Sequence, residues 1–258
     1  MPIALVVPTY QEADNVGPFL RAVRAAVPDA HVYVCDDNSP DGTGKLADEV
    51  GDELGQITVL HRDAKEGLGA AYRHGFREAI DGGASIVVQM DVDFSHPPGL
   101  LPSLIEAVEA GADVAVGSRY VPGGGTPDWP LRRRVLSQYG NRYARRQLRL
   151  GITDATSGLR AYRSDTLEAI RFDTTRANGY GFQIETGYRL TDLGARMVEV
   201  PLIFHDRVHG TSKMSMRIMA ENMALVTWWG LCLRAPALTG RFRSTSFGRY
   251  LADRTTPL

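Results

Sequence analysis

Through the first 118 residues, short apolar runs alternate with amphipathic stretches, and this alternation restricts the fold more than any other feature of the chain. The runs Ile3–Val7, Val32–Cys35, Ile57–Leu60, Ile86–Met90 and Val114–Val116 are nearly all apolar, as strands covered on both faces should be. Between them, Val16, Phe19, Leu20, Val23 and Val27 repeat at helical spacing, and Leu100, Leu101, Leu104, Ile105 and Val108 repeat it later. The pattern predicts an α/β fold, a doubly wound and mostly parallel sheet with helices on both faces. Such sheets bind ligands at the carboxyl ends of their strands. One further strand is expected at Met197–Phe204.

Composition narrows the class. With 43% hydrophobic and 23% charged residues the chain is neither collagen-like, wholly disordered nor a multi-span membrane protein. Two cysteines cannot make a disulfide scaffold and suit a reducing compartment. No secretory signal is visible at MPIALVVPTY, so a cytoplasmic protein is expected. The net charge of -1 hides an uneven distribution, because residues 207–258 carry eight Lys/Arg against two acids. A second basic stretch, Arg132 to Arg149, has seven arginines and no acid. Basic segments on an acidic body point to an anionic partner surface.

Acidic clusters follow three of the expected strands. Asp91 and Asp93, separated by one residue, come directly after Ile86–Met90. Two hard carboxylates there suit Mg²⁺ or Mn²⁺ and leave coordination positions for substrate phosphate; the same residues also suit a turn capping a helix near Pro97–Pro98. Cys35-Asp36-Asp37 and its continuation through Asp41 can accept hydrogen bonds from a nucleoside or can cap the following helix. Pro8, Tyr10 and Glu12 add an aromatic face and a carboxylate after the first strand. The cations Arg119, Arg132 to Arg134, Arg207 and Lys213 stand in loop or motif positions where guanidinium and ammonium groups hold phosphates, their alternative being a solvated basic face. Gly67-Leu-Gly69 lacks the third glycine of a dinucleotide fingerprint, and zinc spacings, G-x-S-x-G and Walker motifs are absent.

The segments VVPTYQEADN, VCDDNSPDGTG, HRDAKEGLGAAY, QMDVDFSHPP, GSRYVPGG, WPLRRRVLS, TDATSGLRAY, GYGFQIE and RVHGTSK together resemble the inverting GT-A glycosyltransferases of family 2, most closely the dolichyl- or polyprenyl-phosphate mannose synthases. The resemblance implies a GT-A domain over 1–213, divided into a nucleotide-sugar half (1–118) and an acceptor half (119–213). It implies transfer of mannose from GDP-mannose to a polyprenyl phosphate, with inversion and a divalent metal. By position it assigns Pro8, Tyr10, Glu12, Cys35 (through its backbone) and Asp37 to the nucleotide, and Asp91 and Asp93, with Val92 between them, to the metal and diphosphate. Arg119, Arg207 and Lys213 match phosphate-binding cations, and Arg133 and Ser137, with Arg119, match the acceptor-phosphate positions. Ser95 stands where many relatives carry a glutamine that contributes to the metal site. A UDP-glucose-dependent transferase and a non-catalytic nucleotide-sugar binder are the competing readings. Nucleic acid is disfavoured because no base-stacking aromatic platform is evident.

Residues 214–234 are helix-prone, and the uncharged stretch Asn222–Leu233 rises about 18 Å, short of the roughly 30 Å hydrocarbon core. An amphipathic interfacial helix is expected there, with Trp228 and Trp229 at headgroup depth beside Arg217 and Arg234, a core helix being the competing reading. A basic, flexible tail is expected over 235–258. Peripheral attachment to the cytoplasmic face of a membrane, directly or through a membrane-protein partner, follows.

Overall fold

A computed structural model describes residues 1–177, 179–206 and 216–234. Arg207, Lys213 and the tail 235–258 lie outside the described residues. Seven strands, β1 (Ile3–Thr9), β2 (His31–Asp36), β3 (Ile57–His61), β4 (Ile86–Gln89), β5 (Val114–Ser118), β6 (Arg160–Arg163) and β7 (Met197–Pro201), form one sheet in the order β3-β2-β1-β4-β6-β5-β7. All neighbours are parallel except those of β6, which runs antiparallel to β4 and β5. The helices are α1 (Ala13–Ala26), α2 (Thr43–Leu54), α3 (Leu68–Asp81), α4 (Leu101–Glu109), α5 (Leu131–Leu148), α6 (Ser164–Ala169), α7 (Tyr180–Leu193) and α8 (Met216–Arg234).

The alternation of β1 sorts the two cores. Leu5 and Val7 pack with Phe19 and Leu20 of α1 and Leu101 and Leu104 of α4, whereas Ala4 and Val6 pack with Tyr72 and Phe76 of α3. The second core also takes Ala144 and Leu148 of α5 and Phe182 of α7. Phe76 has Tyr72, Phe172, Tyr162 and Phe182 within 5.5–6.4 Å between ring centroids. Next to it, Gly75 lets α3 close on the sheet, since a Cβ there would lie 2.3 Å from Val6 and 2.7 Å from Cys35.

The expected parallel sheet, its helices and the placement of five strands match the structure. β6 was not expected, because its core-facing residues are Arg160 and Tyr162 rather than aliphatics. Both are fully buried and satisfied internally: Arg160 donates to the carbonyls of Ala155 and Ser157 and to Thr186, and Tyr162 donates to Gln89. The last strand ends at Pro201 rather than Phe204, after which Leu202 to Phe204 turn along the glycine loop, with Phe204 N bonded to Gly125 O at 2.9 Å.

The tryptophans of α8 correct an expectation. Trp228 and Trp229 are only 3% and 5% exposed and belong to the core, Trp229 stacking on Tyr188 at 6.5 Å. Helical periodicity cannot distinguish an apolar face that meets lipid from one that meets protein, and here α5 and α7 cover it. Among the described residues no helix is long and apolar enough to cross a membrane.

Candidate active site

The carboxyl ends of β1, β2 and β4 bring the predicted acidic clusters to one edge of the sheet. After β2, Asp36 is consumed by the turn, accepting from Thr9 Oγ1 at 3.0 Å and from Ser39 N and Oγ at 3.0 and 2.6 Å. Its neighbour Asp37 is held by the guanidinium of Arg62, which also reaches Glu66. Burial raises the Asp37 carboxyl above the ordinary range even against the pull of Arg62. Asp41 shows the opposite balance: hydrogen bonds from Thr43 and Ala13 outweigh its burial and lower it. Glu12 accepts from Asn15 at 2.8 Å, and Lys65 Nζ stands 3.7 Å over the ring of Tyr10. Cys35 is fully buried and desolvation pushes its thiol up to about 12, so it stays neutral and unreactive.

Beyond β4 the chain leaves the sheet in a tight turn, with Phe94 at φ 58°. Asp93 Oδ1 accepts from both Ser95 N (3.0 Å) and Ser95 Oγ (2.5 Å). Neither Asp91 nor Asp93 caps the helix that follows; the helical turn opens on Pro97–Pro98 without a side-chain cap. Asp91 Oδ1 accepts from Tyr72 Oη at 3.1 Å, and burial together with Asp91 raises the Tyr72 phenol well above its usual value, leaving it a fixed donor. Oδ2 of Asp91 lies beside Gly158, where an added Cβ would sit 3.1 Å from it. Two neighbouring carboxylates of hard oxygen donors fit Mg²⁺ or Mn²⁺ by their chemistry. The hydroxyl of Ser95 is committed to orienting Asp93, and Val92 is buried between the two acids.

The segment after β5 is joined to this edge by the loop 154–158. Its far end is Gly158 beside Asp91, and its near end is Asp154, fully buried and paired to Arg119. Arg119 gives Asp154 its backbone N–H (3.0 Å), Nε (2.7 Å) and Nη2 (2.6 Å), and gives Thr156 a further bond at 2.7 Å. The rings of Tyr120, Trp129 and Phe204 lie 5.3–5.4 Å from the guanidinium carbon. Burial opposes ionisation of Asp154, but Arg119 outweighs it and holds the carboxyl below the ordinary range. Glu199 accepts from Thr153 N and Oγ1 and from Asp154 N, pinning the loop to β7.

Arg133 and Ser137, one turn apart on α5, face the same region. Arg133 pairs with Asp206 at 2.7 Å and stacks over Trp129 at 4.0 Å; Ser137 Oγ accepts from Tyr120 Oη at 2.6 Å. Asn141 ties the backbone of Ser137 to Thr156. The ends of β1, β2, β4 and β5 place Pro8, Tyr10, Glu12, Cys35, Asp37, Asp91 to Asp93 and Arg119 along one edge of the sheet, Arg133 and Ser137 are tied to the Arg119 side through Trp129 and Tyr120, and Arg207 and Lys213 are outside the described residues. Sequence reasoning missed Arg62, Tyr72, Asp154 and Glu199. Only Asp154 carried a signal, as a lone acid between the apolar residues Ile152 and Leu159, where a buried carboxylate demands a cation.

This arrangement of carboxylates at strand ends beside an arginine-bearing segment meets a match in sequence: the pattern described as glycosyl transferase family 2 covers residues 4–171. The chain belongs to this family. This family 2 chain is 46% identical over 241 residues to the undecaprenyl-phosphate mannosyltransferase of Micrococcus luteus, spanning 93% of this chain and 99% of that one. It is also 46% identical to the polyprenol monophosphomannose synthase of Mycolicibacterium smegmatis, over 88% of this chain and 86% of that one. In fold it resembles the mannosyltransferase PcManGT of Pyrobaculum calidifontis, solved with GDP-Man and Mn²⁺, with TM-score 0.58, 15% identity and coverage of 99% and 76%. The resemblance to polyprenyl-phosphate mannose synthases and the GT-A type of sheet are thereby shown for this glycosyltransferase.

Proposed function

We propose that this glycosyltransferase moves mannose from GDP-mannose to a polyprenyl phosphate, inverting the anomeric carbon. The observation that carries the reading is the single loop 154–158, which passes beside Asp91 at one end and fixes Arg119 at the other, in a chain 46% identical to two named polyprenyl-phosphate mannosyl enzymes. Donor and acceptor machinery are thus held by one short segment.

In this reading Asp37, set by Arg62, and the ring of Tyr10 receive the nucleoside, with Pro8, Glu12 and the Cys35 backbone shaping its pocket. Asp91 and Asp93 hold Mg²⁺ or Mn²⁺ against the diphosphate, and the ion, when bound, neutralises charge developing on the leaving GDP. Arg207 and Lys213 supply further cations to that diphosphate. Ser95 acts through Asp93, orienting it, rather than as a metal ligand. Because Asp154 offsets much of its charge, Arg119 contributes aim more than net charge, fixing where the acceptor phosphate stands. Arg133 exchanges its exposed partner Asp206, a pair of little intrinsic strength, for that phosphate, beside Ser137.

No general base is required. The second phosphate pKa is near 6, so the acceptor is largely a dianion at neutral pH. Its oxygen attacks C1 of mannose as the bond from C1 to the diphosphate oxygen breaks, and no proton moves in that step. NMR of the mannosyl phosphate formed from α-linked GDP-mannose tests the stereochemistry: a β product agrees, and an α product overturns direct displacement. The lipid substrate places the enzyme peripherally at a membrane.

A further inference from the structure

With Trp228 and Trp229 buried, the membrane-facing surface must be sought elsewhere, and α5 presents one. At about 100° per residue, Leu131, Val135, Tyr139, Arg142 and Arg146 fall within about 80° of arc, and Arg149 caps the end of the helix. All six are exposed, with Leu131, Val135 and Tyr139 at 64%, 55% and 64%. The opposite face, with Asn141, Ala144 and Leu148, is buried. The exposed stripe therefore changes character along its length, apolar through its first two turns and cationic through its last two.

The cationic half is a built receptor for anions. Arg142, Arg145, Arg146 and Arg149 line an open depression of about 480 Å³, and among the described residues none of the four is in an ion pair. Arg234 of α8 joins them by bonding to Gln147 and the Arg146 carbonyl, bringing exposed Leu231 and Leu233 to the same end. No acid occurs from Arg132 to Arg149.

We propose that this outer face of α5 is the surface by which the enzyme lies on an anionic lipid bilayer. Its apolar half enters the interface and its arginines sit on the headgroups. The inference rests on the polyprenyl-phosphate reading for its purpose, since the apolar half flanks Arg133 and Ser137 and so sets the bilayer beside the acceptor-phosphate site. Exposed leucine, valine and tyrosine beside a cluster of arginines match a headgroup–acyl boundary. A nucleic acid would use the arginines and leave the apolar half in water.

Flotation of the full chain with vesicles free of polyprenyl phosphate tests this. Vesicles containing phosphatidylglycerol should carry the enzyme, and pure phosphatidylcholine should carry far less. The variant Arg142→Gln/Arg146→Gln/Arg149→Gln should partition roughly 100-fold more weakly and lose most of the salt dependence. Val135→Ser/Tyr139→Ser should partition roughly tenfold more weakly with the salt dependence kept. Both variants should turn over detergent-dispersed short polyprenyl phosphate within about twofold of wild type, since neither alters the site. Wild type that stays off phosphatidylglycerol vesicles, including one that binds RNA or an acidic protein instead, overturns the proposal. So does an arginine variant that floats like wild type. Flotation as expected without any mannosyl transfer would leave this surface standing and remove the proposed function.

Discussion

The proposed donor and acceptor sides of this sheet edge are built in different ways. On the donor side Asp36, Asp41 and Asp93 are fixed by their close neighbours Ser39, Thr43 and Ser95, while Asp37 and Asp91 are held by Arg62 and Tyr72 from further along the chain. The acceptor side is fixed across the fold: Arg119 to Asp154, Tyr120 to Ser137, Asp154 to Glu199, Arg133 to Asp206. Local fixing leaves Asp36, Asp41 and Asp93 replaceable without loss of the fold, and Asp91, held by the neutral donor Tyr72, replaceable as well. On the acceptor side, long-range pairing makes orientation and stability one property, so a substitution there should disturb both.

The largest expected effect separates the two. Asp91→Asn should lower mannosyl transfer on the order of 10³-fold, with a thermal midpoint close to wild type; unfolding instead would place Asp91 with the acceptor side. Next, Asp154→Ala leaves the Arg119 charge buried and unpaired, which should cost about 3–5 kcal/mol of stability by urea denaturation and reduce transfer as well. An Asp154 variant of wild-type stability would break the comparison from the other direction.

The same pair sets a pH dependence. Arg119 holds the Asp154 carboxyl below its unfolded value, so its stabilisation is complete above about pH 4 and is lost as pH falls through the lower, folded pKa. Asp154→Asn should flatten that acid limb in urea midpoints measured from pH 7 downward. An unchanged slope would mean that other carboxylates carry it.

Smaller effects sharpen the donor side. Tyr72→Phe removes one hydrogen bond to Asp91 and should lower kcat about tenfold with little change in fold. Ser95→Ala should lower it only a few-fold and leave Mn²⁺ affinity nearly unchanged, as expected of a group that orients Asp93. A large loss of Mn²⁺ affinity by titration would make Ser95 a ligand.

This contrast also governs what could be read from the sequence. Strands β1 to β5 and helices α1 and α4 were legible because their buried residues are aliphatic or aromatic at regular spacing. Acids following β2 and β4 were legible because strand ends are where such sheets bind ligands. β6 was not, since Arg160 and Tyr162 are buried with partners from three other segments, the loop 154–158, α7 and β4. Asp154 lies 35 residues from Arg119, and no local pattern announces such a pair. The tryptophans of α8 were read as meeting lipid because an apolar helix face looks the same whichever apolar surface covers it.

The most direct test is transfer itself. Purified enzyme with Mg²⁺ or Mn²⁺, radiolabelled GDP-mannose and a short polyprenyl phosphate should move label into the organic phase, while labelled UDP-glucose in parallel should not. Label from UDP-glucose alone, or none from either donor with the protein folded and the lipid dispersed, would contradict the account.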